Sequence, residues 1–183
     1  MSASVCNVVV AGLGGQGVIK ASDILAEAAF LAGHDVKKSE LHGMAQRGGS
    51  VHGDVRFGPQ VLSPMITPGE ADFLLVLEAS QVEPHRHRLR PTGRLLTPDS
   101  IEAASLPNRK ALNVALLAVL APELGLPLEA WFTALDRHFR GKGRLTPTQQ
   151  RRQHLPGRVH VVVDRLLAGN HQPGLFVRYH FRE

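Results

Sequence analysis

Two glycine-bearing stretches hold the residues best suited to chemistry. The first is Gly12-Leu13-Gly14-Gly15-Gln16-Gly17, which follows an apolar run and precedes a helical pattern. Glycines at this spacing allow a tight turn, a close backbone approach with φ > 0 at Gly14, and close helix–sheet contact, and the helix start offers free N–H groups to a phosphate. A dinucleotide reading of the same turn requires an acid roughly 20 residues on, to hold the ribose hydroxyls. Lys37 and Lys38 stand there instead, flanked by Asp35 and Glu40. These cations favour a phosphate over a bare diol, so the turn reads as anion-binding. A glycine turn that binds nothing is the plain alternative.

The second stretch is residues 39–50, SELHGMAQRGGS. Ser39, Glu40, His42, Gln46 and Arg47 fall here among glycines, just beyond a short second strand, where open α/β sheets place ligands. Glu40 and His42 have the chemistry for proton transfer, and Arg47 for clamping a carboxylate or phosphate. A structural reading stands beside this one: Glu40 pairs with Arg47 and pins a subunit contact. Elsewhere, Asn113 is a polar residue in an apolar helix and reads as a satisfied buried amide or a ligand contact. His85 and His87 are two apart on a predicted helix, do not share a face, and read as solvated rather than metal-binding. Cys6 sits in an apolar strand and reads as an inert core thiol. No metal site and no covalent catalytic residue is assigned to the chain.

These residues need a scaffold. Val5–Ala11 is a short β-branched run, read as a buried strand. Val18–Ala32 has helical apolar spacing and stops at Gly33. His34–Ser39 is read as a brief second strand. Val51–Phe57 alternates, with Val51, Gly53, Val55 and Phe57 on one face and His52, Asp54 and Arg56 on the other, as in a half-exposed strand. Gly58-Pro59 then suggests a turn into a hairpin partner at Val61–Ile66. Ala71–Leu77 is a second buried strand. Ser80 and Glu83 fit a capping box for a helix over 81–90, ended by Gly93, with a strand at Arg94–Thr97. Lys110–Leu120 reads as a helix facing Leu112, Leu116, Val119 and Leu120 inward, and Pro127 opens another with Leu128, Trp131, Phe132, Leu135 and Phe139 as its stripe. Strands alternating with helices imply an α/β fold: a three-layer α/β/α, Rossmann-like domain with a mixed, largely parallel sheet.

Composition narrows the classes. The 183 residues suit one compact domain. The single cysteine excludes an intramolecular disulfide and any cysteine-ligated zinc or iron–sulfur site built by this chain alone. Residues 1–139 carry 12 Lys+Arg against 14 Asp+Glu, and residues 140–183 carry 9 against 2. The basicity therefore belongs to the tail and not to a folded stripe, which argues against nucleic-acid binding. No apolar run reaches the ~20 residues of a membrane span. The first residues lack a signal-peptide pattern, so the expected location is cytoplasmic.

The two stretches together resemble the γ-type domain of 2-oxoacid:ferredoxin oxidoreductases, and among these the β-subunit type of the indolepyruvate enzymes. The likeness covers residues 5–145, including Ala71–Glu78, Asn113 and Gly141-Lys142-Gly143. It implies the fold of domain III of pyruvate-ferredoxin oxidoreductase over residues 1–145, followed by a basic extension at 146–183. It also implies oxidative decarboxylation of a 2-oxoacid on thiamine diphosphate, electron transfer through iron–sulfur clusters to ferredoxin, and acyl transfer to coenzyme A. The thiamine and clusters belong on a larger partner subunit, with this chain contributing to the coenzyme A side through Gly12, Gly14, Gly15, Gln16, Gly17, Lys37, Lys38, Ser39, Glu40, His42, Gln46, Arg47 and Asn113. Assembly is expected through residues 39–50, with the larger subunit or as a homodimer. A free-standing nucleotide- or coenzyme A-binding regulatory module is the alternative.

Overall fold

The structure, a computed structural model, describes residues 5–42, 48–101 and 111–139. The expectations for Gln46 and Arg47, the His42 side chain, the Gly141-Lys142-Gly143 turn and the 146–183 extension lie outside the described part.

Five strands form one sheet: β1 (Cys6–Leu13), β2 (Asp35–His42), β3 (Ser50–Gly58), β4 (Ala71–Val76) and β5 (Leu89–Leu96), in the order β2-β3-β1-β4-β5. β3 runs antiparallel to both β1 and β2, whereas β1–β4 and β4–β5 are parallel. Four strands thus point one way and β3 alone runs against them, which makes the sheet mixed and largely parallel.

The β1 run Val8-Val9-Val10-Ala11 is fully buried, because alternate side chains enter two different apolar clusters. Val8 and Val10 face α1 (Val18–Leu31), α3 (Leu112–Leu124) and α4 (Leu128–Phe139). Val9 and Ala11 join Leu74 and Val76 on the back face, under Ile66 and the five-residue helix α2 (Val82–Arg86). Gly33, at φ 88°, turns the chain out of α1. Among the described residues, no helix is long and apolar enough to cross a membrane.

Several local expectations change. Val61–Ile66 is not a strand, because both edges of β3 are already taken by β1 and β2. It instead crosses the back face, where Asp35 accepts the Val61 N–H at 2.7 Å and Asp54 accepts the Ile66 N–H at 3.0 Å. Arg56 donates to the carbonyls of Ser63 and Met65, each at 3.0 Å. This crossing buries the face of β3 that alternation assigns to solvent, and Asp54 is left 1% exposed. The helix expected over 81–90 shrinks to a 3₁₀ turn (Ala79–Gln81) plus α2, and Gly93 lies inside β5 rather than ending a helix. The 81–90 segment has too few apolar residues to hold a longer helix against the sheet. A side chain at Gly93 would come within 2.8 Å of the Ala71 carbonyl, so close β4–β5 contact explains that glycine. α3 is buried on nearly all sides rather than along one stripe, and continues through Pro122 to Gly125, which caps it at φ 64°. In α4, Trp131 and Leu135 are buried with Ala130 and Ala134, while Leu128 stays 37% exposed.

Candidate functional site

β1 and β4 are parallel neighbours, yet the chain leaves them toward opposite faces: β1 leads to α1, and β4 leads to α2. Such a switch point opens a crevice beyond the carboxyl ends of the two strands. Residues 12–17 and 77–81 form its lips.

The turn itself is held by its own side chain. Gln16 Oε1 accepts the Leu13 N–H at 2.8 Å, and Gln16 Nε2 donates to Glu78 Oε2 at 2.9 Å, tying the two lips together. Gly12 is needed for space, since a Cβ there would lie 3.1 Å from Leu77 Cβ and 2.9 Å from Gln16 Oε1. The left-handed positions are Gly15 (φ 94°) and Gly17 (φ 87°). Gly14, expected to need φ > 0, is not among them; its requirement is close approach, with its N–H donating to Gly49 O at 2.9 Å. Gly17 is the N-cap of α1, without a side-chain cap bond and with no acid in the first turn. The first amides of α1 therefore keep their positive end for an anion. A Cβ on Gly15 would meet nothing within 4 Å, so this glycine borders open space.

Asn113 reaches the turn from α3. It is 6% exposed, donates from Nδ2 to Gly17 O at 3.2 Å and accepts the Val114 N–H at 2.8 Å. It is a satisfied buried amide that braces the turn.

The two lysines are not brought to the turn. Register aligns Lys37 with Arg56 and Asn7, and Lys38 with Val55 and Val8, four to five residues below Gly12, or about 13–17 Å of strand. As neighbours on a strand they also point to opposite faces. Lys38 turns to the α1 side and pairs with Asp23 and Glu40. Burial works to lower its pKa, but the hydrogen bonds it donates to these two carboxylates outweigh that and hold the ammonium above its ordinary value. Lys37 pairs with Asp35 at 3.0 Å on the other face. Hydrogen bonds from Val61 N–H and Lys37 keep the Asp35 carboxyl below the usual range. Glu40 thus has Lys38 as a partner, and the Ser39 hydroxyl is buried without a hydrogen-bond partner among the described residues. His42 is the β2 residue in register with Val51, which pairs with Gly12.

A polar cluster on the back face was not legible in the sequence. Arg88 Nη2 donates to both Asp54 oxygens at 2.7 Å, and both residues are buried. His85, expected on a solvated face, is 6% exposed and stacks edge-on against His52 with ring centroids 5.1 Å apart. Its Nε2 lies 3.1 Å from Ser50 Oγ. Burial, then the neighbouring His52, Arg88 and His87, push the His85 pKa down to about 4. Burial lowers His52 as well. Below the ordinary histidine value of 6.5 the unfolded chain gains a proton that folded His85 refuses, so stability falls as pH drops from 6.5 to about 4. The expected slope for this one group is at most about 1.4 kcal/mol per pH unit. Urea unfolding at several pH values checks this, with the His85→Leu chain giving the flatter profile over that window. Identical profiles would refute it.

Among the described residues no cluster of three or more His, Cys, Asp and Glu is placed to hold a metal ion. Cys6 is half-buried, and desolvation pushes its thiol up to about 12, which removes it as a nucleophile near neutral pH.

Residues 7–107, just over half the chain, match the pyruvate ferredoxin/flavodoxin oxidoreductase family. The chain belongs to this family. It is 41% identical over 91 residues to the indolepyruvate oxidoreductase subunit IorB of Thermococcus kodakarensis, spanning 50% of this chain and 45% of that one. It is 51% identical over 75 residues to the IorB of Archaeoglobus fulgidus, spanning 41% and 37%. The 2-oxoglutarate synthase subunit KorC of Archaeoglobus fulgidus is 31% identical over 131 residues, covering 70% of this chain and 66% of that one. The match thus spans less than half the length of the IorB relatives. Among solved structures, the 2-oxoglutarate:ferredoxin oxidoreductase of Magnetococcus marinus superposes with a TM-score of 0.69 at 16% identity, over 90% of this chain and 30% of that one. The γ subunit of a keto/oxoacid ferredoxin oxidoreductase from Geobacter sulfurreducens gives 0.59 at 21% identity, over 91% and 98%. These two likenesses establish the α/β fold.

Proposed function

We propose that this chain is the small, cluster-free subunit of a 2-oxoacid:ferredoxin oxidoreductase of the indolepyruvate type, and that the crevice between β1 and β4 helps hold coenzyme A while a larger subunit oxidatively decarboxylates the oxoacid. The observation that carries the ligand side is the uncapped start of α1 behind Gly15 and Gly17, set at the switch point of the sheet. Aligned amides at a helix start suit the pyrophosphate of the coenzyme. The Magnetococcus enzyme, which has this fold within a longer chain, was solved with 2-oxoglutarate, coenzyme A and succinyl-CoA bound. The IorB relatives favour an aryl pyruvate as substrate.

The iron–sulfur clusters are assigned to the partner, since one cysteine cannot ligate a cluster, and thiamine diphosphate is placed there with them on the family resemblance alone. Within this reading Lys37 and Lys38, paired with carboxylates far from the turn, have no ligand role, and the amides of residues 15–20 make the closest anion contacts.

The test is calorimetry and anaerobic turnover with the co-expressed larger subunit, across aryl and aliphatic oxoacids. Ile19 is 38% exposed in the first turn of α1. Ile19→Glu should place a carboxylate where the phosphate binds, leaving the melting temperature unchanged or higher while weakening coenzyme A about tenfold. Tight NAD binding with no response to coenzyme A would overturn the assignment. Full coenzyme A binding by the chain alone, with no partner that supports turnover, would favour the regulatory-module reading.

A further inference from the structure

The Gly48–Gly49 segment has no side chains of its own to fix it, and Gly48 is left-handed at φ 73°. Two consecutive glycines give a backbone its greatest freedom, so a segment that must sit still needs an outside anchor. It does have to sit still: Gly49 O accepts the Gly14 N–H at 2.9 Å, and a Cβ on Gly14 would come within 3.4 Å of Gly48 N. The residue that follows, Ser50, is in register with Leu13 and shares a hydrogen bond with His85 Nε2 across 3.1 Å.

We infer that Ser50 and His85 are a positioning pair, through which α2 on the back of the sheet sets Gly48–Gly49 against Gly14 and so fixes the shape of the glycine turn that meets the ligand. The geometry is that of a brace. His85 is 6% exposed and is wedged edge-on against His52, so its ring has little freedom to swing away from Ser50. The groups around it are His52 and Asp54 on β3, Arg88 after α2, and His87, and the Asp54 carboxylate is already engaged by Arg88. The imidazole is kept neutral by burial, which leaves it a ring nitrogen that can accept the Ser50 hydroxyl. A bond from the half-buried Ser50 hydroxyl to the buried imidazole is worth enough to bias the position of a glycine pair that has no other side-chain tether among the described residues. Ser50 directly follows Gly48–Gly49 and His85 is bonded to Ser50, so both act through the backbone of residues 48–50. The ligand side of the inference rests on the coenzyme A reading above; the brace itself does not.

The experiment uses the full chain assembled with its larger subunit. Ser50→Ala and His85→Leu each remove the bond, and His85→Gln offers an amide in place of the ring. Hydrogen exchange of the peptide spanning Leu13–Gly17, read by mass spectrometry, is expected to quicken about fivefold to tenfold in Ser50→Ala and His85→Leu, with the double variant no faster than either single one. The KM for coenzyme A should rise by a similar factor while kcat stays within about twofold. His85→Gln should restore part of both. Unchanged exchange in Ser50→Ala, the variant least able to disturb packing, overturns the inference, as does strict additivity of the two variants. Faster exchange with an unchanged KM for coenzyme A would keep the brace and instead overturn the assignment of coenzyme A to this crevice.

Discussion

Replacing Asp54 with Asn should lower the unfolding free energy by about 3–5 kcal/mol, the usual cost of removing one partner from a buried ion pair. Arg88 would be left as a buried cation with its Nη2 facing a neutral amide, where both Asp54 oxygens now sit at 2.7 Å. The damage is not confined to the pair, because Asp54 Oδ2 also accepts the Ile66 N–H at 3.0 Å and thereby pins the end of the back-face crossing. Urea unfolding of the purified chain measures the loss. Asp54→Leu combined with Arg88→Met should recover most of it, since apolar residues of similar volume replace a buried pair at little cost. A loss below about 1 kcal/mol for Asp54→Asn would show that the pair is hydrated and weak.

That same aspartate shows where sequence reasoning stops. β1 could be read at once, because four consecutive β-branched or small apolar residues have no reason to be other than buried on both faces. The glycine turn and α1 followed, because a strand, three spaced glycines and a 3.6-residue period can meet in only a few ways. β3 showed the correct alternation, but alternation assigns polar residues to water only when nothing covers that face. Here residues 61–66 cross it, held by Asp35, Asp54 and Arg56, and no local pattern foretells which strand a loop will cross. His85 was misplaced for the same reason: the cavity that receives it is made by β3, more than thirty residues earlier.

The lysine expectation failed on topology. The rule that places a ligand-binding residue about 20 residues after the glycine turn assumes that β2 lies beside β1, as in the dinucleotide fold. In this chain β3 is inserted between them as an antiparallel strand. The residues at that spacing are therefore displaced by one more strand and fall in the body of β2, and Lys38 answers to Asp23 of α1 rather than to the crevice. Asn113 is the opposite case. Its polar character in an apolar helix was visible, and α3 brings it to the Gly17 carbonyl from 96 residues away.

Gly17 should be the costliest glycine of the turn to replace. Alanine at this position must hold φ near 87°, which costs an L residue about 1–2 kcal/mol. Its Cβ would also lie 2.3 Å from Asn113 Nδ2, far inside contact distance. Asn113 is 6% exposed on a helix that is buried on most sides, so it cannot swing into water, and it would give up its bond to Gly17 O. A buried amide left without its acceptor adds about 1–3 kcal/mol, for an expected total of about 2–5 kcal/mol. Gly15→Ala bears the strain alone, since φ is 94° but nothing lies within 4 Å of the new methyl group. The discriminating measurement is a double-mutant cycle by urea unfolding. In an Asn113→Ala background the steric part disappears, and Gly17→Ala should fall to the cost of Gly15→Ala, leaving a coupling energy of about 1–3 kcal/mol between two residues far apart in the chain. If Gly15→Ala proves as damaging as Gly17→Ala, Asn113 is not the brace of the turn and the shape of the α1 start must be set by the Gln16–Glu78 contact instead.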